Sequence, residues 1–412
     1  MKIKSLSPWL ALGLVVLSGS ARADLEPFSF GASEAIKHDD NVTRGPSSER
    51  EGDWISTTEI SAALDQALGR QRLTANGAFD VNRYKDLHRL DANTYSLAGA
   101  LNWETVGDLS GAVGGDSARQ QYVYGLNGEV LGPDGGTTRN LQTTNHLFAN
   151  AQLGGLARWK IFAGADANER KYSNPLFEAN EERQWSGHAG TSYSTSPDLS
   201  FGLQGHVTHG VYPNLILGSS HDDFDQKSLG LTTKWQISGV SGLDAALGYT
   251  RADYAEQPSN HFVNGSLNWT WSPPSHFVVL VGLSRDSSAD TGISGAITAN
   301  DSLTGRSINS VGHISATYEL TAKTSLVANA QYTQRHYENA VFQETVPGIP
   351  VTINGSNRTT LFSLAAHFMP TRTTDLNCSV AHEVRHSDAS VVVLAPSYID
   401  NTVTCTASIK FD

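Results

Sequence analysis

The sequence has little of several features that would direct it to other protein classes. It contains only 2 cysteines, too few for a secreted fold built on disulfides. After Leu17 no apolar run approaches the roughly 20 residues that a membrane-spanning helix needs. Its 29 lysines and arginines are outnumbered by 41 aspartates and glutamates. Because neutralising phosphates requires a basic surface, this balance argues against nucleic acid as a partner.

The first 23 residues have the pattern of a secretory signal peptide. Lys2 and Lys4 form a basic start, residues 9–17 are apolar, and an Ala-x-Ala cleavage site ends at Ala23. We therefore predict that residues 1–23 are removed during export. Loss of the three cations in this segment changes the formal net charge from −12 to −15.

The remaining residues, 24–412, are expected to form a single sheet-rich domain. The 38 glycines and the many serines, threonines and asparagines contrast with only 2 methionines. This composition favours strands and turns over helices. Because the exported chain has no apolar run of helical length, strands must cross any membrane that it occupies.

A two-residue alternation is the clearest pattern in this domain. In the last stretch Val403, Cys405, Ala407, Ile409 and Phe411 form an apolar row, and the residues between them are threonine, serine or lysine. About eighteen segments show this alternation, many of about ten residues, a length that crosses a bilayer when tilted. One face of each segment therefore suits lipid and the other suits water.

Short turns and longer polar loops alternate between these segments. The turns are rich in glycine, proline, aspartate and serine, whereas the long loops include residues 39–52, 120–138, 210–223, 286–304, 338–356 and 386–397. This pattern predicts an all-β, antiparallel, up-and-down transmembrane barrel of about eighteen strands with short periplasmic turns and long extracellular loops. A soluble sandwich has shorter strands, and a propeller has a blade repeat that is absent here.

Several charged residues fall on the polar rows near the ends of strands that lead to long loops. We predict that these residues line the lumen and contact the solute: Asp166, Arg170, His188, His206, Arg335, Glu383 and Arg385. Pairs of opposite charge of this kind form constrictions or binding tracks in channels. We interpret His188 and His206 as hydrogen-bonding groups of the lumen rather than as a catalytic pair.

Other arginines fall on the apolar rows at the same end of the barrel. Arg119, Arg251 and Arg285 are expected to lie at the outer rim, where they could contact phosphates of lipopolysaccharide. The two cysteines, Cys378 and Cys405, are expected to lie opposite each other on the last two strands. At the sequence level a disulfide and two free thiols both stay open.

The sequence does not indicate an enzyme. We identify no zinc-binding helix with two histidines four residues apart and no Gly-x-Ser-x-Gly motif in a strand-turn-helix context. Residues 221–225 contain one histidine and three aspartates that could hold calcium, but the favoured interpretation is a solvated acidic loop. We therefore predict no catalytic residue, no metal site and no cofactor.

An ordered set of short motifs resembles a known family. The motifs are Asp39-Asp40-Asn41-Val42, Arg70-Gln71-Arg72 before Tyr84, Leu101-Asn102-Trp103, Arg139-Asn140-Leu141-Gln142, Tyr212-Pro213, Leu243-Asp244 with Gly248-Tyr249, Trp269 and Thr321-Ala322-Lys323. In this order they resemble the EpsL-type outer-membrane barrels of bacterial exopolysaccharide biosynthesis operons. The chain departs from the usual pattern at its end, where Asp412 follows the aromatic Phe411.

The resemblance implies a barrel that takes part in the export or surface anchoring of an exopolysaccharide. The expected partners are then outer-membrane lipid and lipopolysaccharide, the polysaccharide, periplasmic export proteins and the barrel-assembly machinery. The expected location is the bacterial outer membrane. Two alternatives are a general or sugar-selective diffusion porin, and a barrel-embedded enzyme or adhesin that acts through its long loops.

Overall fold

A computed structural model describes residues 27–122, 139–155, 158–217, 220–254, 259–291, 302–343, 351–388 and 396–411. The predicted signal peptide, residues 1–23, and Asp412 lie outside this description. Within it, one antiparallel sheet of 18 strands closes on itself, since the first strand pairs with both the second and the last. The predicted fold class, an up-and-down β-barrel, is confirmed.

Each strand pairs with its neighbours in chain order. The strands are β1 Phe28–Asp39, β2 Asp53–Leu68, β3 Gln71–Tyr84, β4 Ala92–Glu104, β5 Leu109–Gln121, β6 Leu141–Leu153, β7 Trp159–Tyr172, β8 Glu182–Ser196, β9 Leu199–Leu217, β10 Ser220–Ser238, β11 Ser241–Tyr254, β12 Asn260–Trp271, β13 Phe277–Thr291, β14 Ser302–Thr321, β15 Thr324–Gln343, β16 Val351–Phe368, β17 Thr374–Ser387 and β18 Tyr398–Phe411. Two 3-10 helices, His88–Leu90 and Pro175–Asn180, lie in loops. Neither they nor any other helix in the described ranges has the length and apolar character of a membrane span.

Short turns gather at one end of the barrel, which we call the turn end, and the longer connections at the other, the loop end. Gly69 in the first turn has φ +66°, a left-handed conformation that glycine adopts without a steric cost. It connects β2 directly to β3 through the pair Leu68 and Gln71. By the usual orientation of such barrels, the turn end faces the periplasm.

The barrel closes where β1 pairs with β18. Phe30 lies opposite Phe411, and the register continues without a shift to Asp39 opposite Thr402. Both phenylalanines point outward and leave more than half of their surface exposed. The final strand therefore completes the ring with an aromatic pair at the turn end.

Three of the predicted long loops are shorter than expected, because strand pairing continues into them. Residues 210–223 belong largely to β9 and β10, where Asp223 lies opposite Val211 and Phe224 opposite Gly210. In the same way β13 and β14 pair as far as Thr291 and Thr304, and β15 and β16 also extend beyond the predicted boundary. A polar, glycine-rich sequence is compatible with a loop, and it is equally compatible with a hairpin whose strands extend beyond the lipid layer.

The outer face of the barrel is apolar and exposed. On β7, Trp159 and Ile161 each leave 60 % of their surface uncovered, and Leu229 and Leu231 on β10 are equally exposed. A continuous apolar surface of this kind is unfavourable in water and favourable against lipid. The fold therefore supports the predicted outer-membrane location.

Candidate functional site: the barrel lumen

The lumen wall consists of every second residue of each strand. On β7 the inward positions Lys160, Gly164 and Asp166 alternate with the outward Trp159 and Ile161. Applied to the other strands, this alternation places the predicted solute-contacting residues on inward rows: Asp166 and Arg170 on β7, His188 on β8, His206 on β9, Arg335 on β15, and Glu383 and Arg385 on β17. They lie in two separate parts of the wall.

The first part is a row of imidazoles and carboxylates on β5 to β9, which we call the histidine–aspartate band: Asp116, His146, Asp166, His188 and His206. His146 Nδ1 lies 2.9 Å from Asp116 Oδ1, and its Nε2 lies 3.3 Å from Asp166 Oδ1. Asp166 Oδ2 is 3.6 Å from His188 Nδ1. The rings of His188 and His206 are nearly parallel, with centroids 6.3 Å apart. One side chain from each of five consecutive strands thus contributes to a continuous row.

His146 occupies the middle of a carboxylate pair. A neutral imidazole carries a single N–H, so only the imidazolium form donates to both carboxylates at once. His146 thus bridges the side chains of Asp116 and Asp166. Sequence inspection missed both Asp116 and His146, since their meeting depends on the register of β5 against β6.

Two phenylalanine rings lie beside the band on the same wall. The Phe148 ring stacks on His146 with centroids 5.6 Å apart, and the Phe162 ring lies 6.4 Å from that of His188. Glycines make room for them: a Cβ at Gly190 would lie 2.5 Å from Phe162 Cζ. Flat aromatic faces therefore border the charged groups.

Arg170 does not join the band, although it lies on the same strand as Asp166. Its guanidinium forms an ion pair with Glu182, which is directly opposite on β8. This pair lies toward the loop end, close to a small aromatic cluster in which Phe177 contacts Tyr122 and Tyr172. Phe177 belongs to the 3-10 helix of the fourth loop and is 1 % exposed. That loop therefore packs closely against the barrel mouth.

The second part of the wall lies on β15 to β18 near the loop end. The Arg385 guanidinium carbon lies 4.8 Å from the centre of the Tyr398 ring, and Arg385 Nε donates to Thr359 Oγ1 at 3.3 Å. The Tyr398 hydroxyl donates to the Glu383 carboxylate. Arg385 is 2 % exposed. The predicted pair of Glu383 and Arg385 is thus linked through an aromatic ring that the sequence did not indicate.

Arg335 lies on β15 in the same region of the wall. Its Nε donates to Asn309 Oδ1 at 2.7 Å on β14. On its other side it is paired with Asn357 of β16, which donates to the hydroxyl of Tyr337. Amide side chains of both neighbouring strands therefore lie beside Arg335.

The first loop, residues 40–52, enters the barrel mouth beside this second part. Arg44 lies 3.1 Å from Asp39 Oδ1 through Nη1 and 3.0 Å from Asp400 Oδ2 through Nη2. All three side chains are almost completely buried. Burial by itself lowers the pKa of Arg44, but the carboxylates of Asp39 and Asp400 raise it above the ordinary value for arginine. Arg44 therefore remains a cation that ties the loop to both β1 and β18.

The conformation of Arg44 shows how firmly the loop is fixed. Its φ of 55° lies in the left-handed region, and no other non-glycine residue in the described ranges has a positive φ. For such a residue this conformation costs about 1–2 kcal/mol. The neighbouring Asn41, which is fully buried, donates through Nδ2 to the carbonyl oxygens of Gly45 and Ile399. These contacts offset the cost.

An apolar contact holds the same loop from the opposite side. Val42 packs in a buried cluster with Ile55 and Tyr84, which are inward residues of β2 and β3, and with Leu87 and Leu90 of the second loop. Because two members of this cluster belong to the lumen wall, both loops cover part of the opening.

The arginines predicted at the rim occupy outward rows near the loop end. Arg119 pairs with Tyr95 on β4, and Arg251 lies opposite His261 with its Nε 2.9 Å from Asp253 Oδ1. Arg285 lies on the outward row of β13, two residues from the exposed Leu283. Contact of these three arginines with lipopolysaccharide stays a prediction.

Cys378 and Cys405 lie directly opposite each other in the last hairpin and are joined by a disulfide. Sequence analysis left the bonded and free states open, whereas the structure has the bonded one. Both residues occupy the outward rows of their strands. The bond therefore lies on the lipid-facing side of the sheet.

The sequence of β17 contains two histidines four residues apart, a spacing that sequence analysis overlooked. Residues 382–386 read His-Glu-Val-Arg-His, the letters of a zinc-protease helix. In a strand, however, His382 and His386 point outward about 13 Å apart, and Glu383 points into the lumen. The motif therefore has no zinc-binding geometry here. In the described ranges no group of three or more His, Cys, Asp or Glu residues could hold a metal ion.

The fold is similar to those of several solved bacterial proteins. OpdK of Pseudomonas aeruginosa, crystallised with vanillate, is 14 % identical at a TM-score of 0.49 over 94 % of this chain and 100 % of that one. OccK2 (OpdF) of the same organism, in complex with glucuronate, is 12 % identical at 0.49 over 94 % and 98 %. The FrpB iron transporter of Neisseria meningitidis (F3-3 variant) is 11 % identical at 0.50 over 87 % and 62 %.

At these identities the likeness concerns the fold alone. No protein-family model matches the sequence, and no curated protein matches it. The comparisons therefore bear on the barrel fold and leave the function to the chemistry of the lumen.

Proposed function

We propose that this protein forms an outer-membrane channel through which small polar solutes diffuse. The observation that carries the proposal is the first loop, which Arg44 fixes inside the mouth through Asp39 and Asp400. Barrels of 16–18 strands enclose an aqueous passage, and a loop fixed inside such a passage narrows it. Small solutes pass a narrowed mouth more easily than an extended polymer does.

The lining of the lumen supports the same proposal. Inward positions carry glycine, serine, asparagine, histidine and charged residues, as along β7 and β8. A wall of this composition stays hydrated and offers hydrogen bonds along the route. It suits the passage of water-soluble molecules and ions.

Export of an exopolysaccharide is the second candidate, and the ordered motifs shared with EpsL-type barrels favour it. In that case the lumen would have to pass an extended glycan that periplasmic export proteins deliver. The first loop would then have to leave the mouth, which requires separating Arg44 from two buried carboxylates. Such a separation breaks both ion pairs of Arg44.

Conductance measurements on the reconstituted protein test the proposal and separate it from export. We expect an open channel in planar bilayers, and liposome swelling that is fast with a monosaccharide and slow with a tetrasaccharide. The host's exopolysaccharide should leave the ion current unchanged. A current blocked by that polymer would support export, and the absence of any current would overturn both pore functions in favour of an enzyme or adhesin.

We also infer that the chain reaches the outer membrane after cleavage before Asp24. Lys2, Lys4 and the Ala-x-Ala site that ends at Ala23 support this inference. N-terminal sequencing of the protein from purified outer membranes should begin at Asp24. Recovery in the inner membrane with residues 1–23 still attached would contradict it.

A further inference from the structure

We propose that the histidine–aspartate band binds cationic solutes inside the lumen and that protonation of its histidines releases them. This inference names a substrate class for the proposed channel and therefore rests on the diffusion function. The band combines carboxylates, imidazoles and aromatic rings on one wall. Each of these groups attracts cations when the imidazoles are neutral.

The carboxylates of the band are accessible from the lumen. The Asp116 side chain is 48 % exposed and that of Asp166 is 25 % exposed. Each makes a contact with His146 through one oxygen, and a carboxylate has about four lone-pair sites in total. Both carboxylates can therefore accept a further hydrogen bond, for example from the ammonium or guanidinium group of a solute.

The rings of Phe148 and Phe162 add a second attraction beside those carboxylates. Both lie next to imidazoles of the band. A cation above the face of an aromatic ring gains roughly 0.5–1 kcal/mol at an exposed site. Binding of this strength holds a solute briefly and still lets it leave, as conduction requires.

The charge of the band depends on its three histidines. With all three imidazoles neutral, Asp116 and Asp166 give the band two negative charges. Protonation of all three imidazoles reverses this to one net positive charge. Histidine is the side chain that changes charge between about pH 5 and pH 8. Protonation of the band therefore turns an attractive wall into a repulsive one for cations.

Among the described inward residues of β5 to β9, the other charged ones lie toward the two ends of the barrel: Lys160 at the turn end, and Arg170 and Glu182 at the loop end. The carboxylates that face the histidines are those of Asp116 on β5 and Asp166 on β7. The hydroxyl of Thr208 forms a hydrogen bond of 2.8 Å with His206 Nε2. Arg170 and Glu182, toward the loop end, neutralise each other. Directly opposite His206 on β10 is the uncharged Ser228. The reversal is therefore a property of the band itself.

Reversal potentials in a KCl gradient test the proposal on the intact reconstituted channel. The wild type should prefer K⁺ over Cl⁻ at about pH 8, and this preference should fall by about threefold or more at about pH 5. Spermidine added at about pH 8 should reduce the current, and it should act more weakly at about pH 5. Gluconate should have no comparable effect at either pH.

Three variants assign these effects to the band. The double variant His188→Gln and His206→Gln should keep its K⁺ preference at low pH, and Asp116→Asn with Asp166→Asn should lose spermidine block at high pH. His313→Gln removes a histidine from the inward row of β14, outside the band, and should behave like the wild type. A His313→Gln effect as large as that of the double histidine variant would overturn the assignment.

The outcome separates this proposal from the proposed function. A channel that conducts, yet shows the same ion preference and spermidine response at both pH values, would leave diffusion standing and overturn cation binding by the band. A protein that gives no current would instead contradict the channel. The folded state of every variant is checked by its slower migration when unheated in a detergent gel.

Discussion

Arg44 Nη2 lies 3.0 Å from Asp400 Oδ2, so that the loop after the first strand is tied to the last strand of the barrel. The same guanidinium contacts Asp39 at the end of β1. This single side chain thus links the two strands at which the barrel closes, and it fixes the loop that narrows the mouth.

Arg44→Ala should widen the mouth and destabilise the loop end. Asp400 would be left buried without its cation, and Asp39 would keep only its ion pair with Lys37. An uncompensated buried charge costs about 3–5 kcal/mol unless the loop moves away and lets water reach it. We expect a higher single-channel conductance and a lower free energy of unfolding in urea. The control is Arg72→Ala, which removes an exposed ion pair with Asp65 at the turn end and should change stability by about 1 kcal/mol or less. Unchanged conductance in Arg44→Ala would show that the loop does not limit flow.

Acid should release the same loop through Asp40. Burial raises the pKa of Asp40, but the hydrogen bonds from Arg50 and Asn401 lower it by more than burial raises it. The pKa of Asp40 therefore lies below its ordinary value. A lowered pKa means that the stabilisation is complete above the ordinary value near 4 and is lost as the pH falls through the folded value. The protection of the backbone amides of residues 41–52 against hydrogen exchange, relative to the intrinsic rate at each pH, should therefore fall at strongly acidic pH. Asp40→Asn should show this loss of protection already at neutral pH, and equal protection in both proteins would argue against the contact.

Phe411→Ala should impair assembly of the barrel. Phe411 is the aromatic residue of the closing strand and pairs with Phe30 on β1, where aromatic side chains favour the membrane interface. We expect a clear fall in the fraction of heat-modifiable, folded protein in outer membranes. Val380→Ala, an outward substitution on β17 away from the closing pair, serves as the control. Deletion of Asp412 should leave assembly unchanged or improve it.

Loss of the disulfide should lower stability without changing conductance. The bond between Cys378 and Cys405 spans a sequence separation of 27 residues, and a loop of this size corresponds to about 3 kcal/mol of stabilisation in the chain-entropy model. Cys378→Ala with Cys405→Ala should unfold at lower urea concentration. In the wild type, both thiols should resist alkylation until a reductant is added. Labelling without reductant would contradict the bonded state.

Removal of the rim arginines should weaken contact with lipopolysaccharide. Arg119, Arg251 and Arg285 lie on outward rows at the loop end, and a cation at an anionic membrane surface contributes about 1 kcal/mol. We expect the triple alanine variant to copurify with less lipopolysaccharide than the wild type. Lys234→Ala, an inward substitution near the turn end, should bind as much as the wild type. Equal amounts in all three proteins would refute the rim assignment.

The sequence was sufficient for the architecture because the alternation of apolar and polar residues reports directly on which side of a strand faces lipid. It predicted the strand number and the opposition of Cys378 and Cys405. The prediction that residues 210–223 form a loop was wrong, because these residues largely belong to β9 and β10. A strand that extends beyond the lipid layer becomes polar on both faces, so its sequence looks like that of a loop.

The arrangement of the lumen could not be read in the same way. His188 and His206 were recognised as inward residues, but the meeting of Asp116, His146 and Asp166 depends on the register of three strands and on side-chain length. The inward path of the first loop depends on Arg44, whose partners lie at opposite ends of the sequence. Such contacts have no local pattern in the sequence.

The pairing of Phe30 with Phe411 also has a consequence for the order of events during biogenesis. The backbone groups of β1 that bond to β18 have no partner until the end of the chain arrives, so β1 presents an open edge while the other strands are being joined. An edge of that length recruits any compatible strand. Whatever inserts this chain must therefore shield β1 from premature partners from the moment it folds until the moment the ring closes.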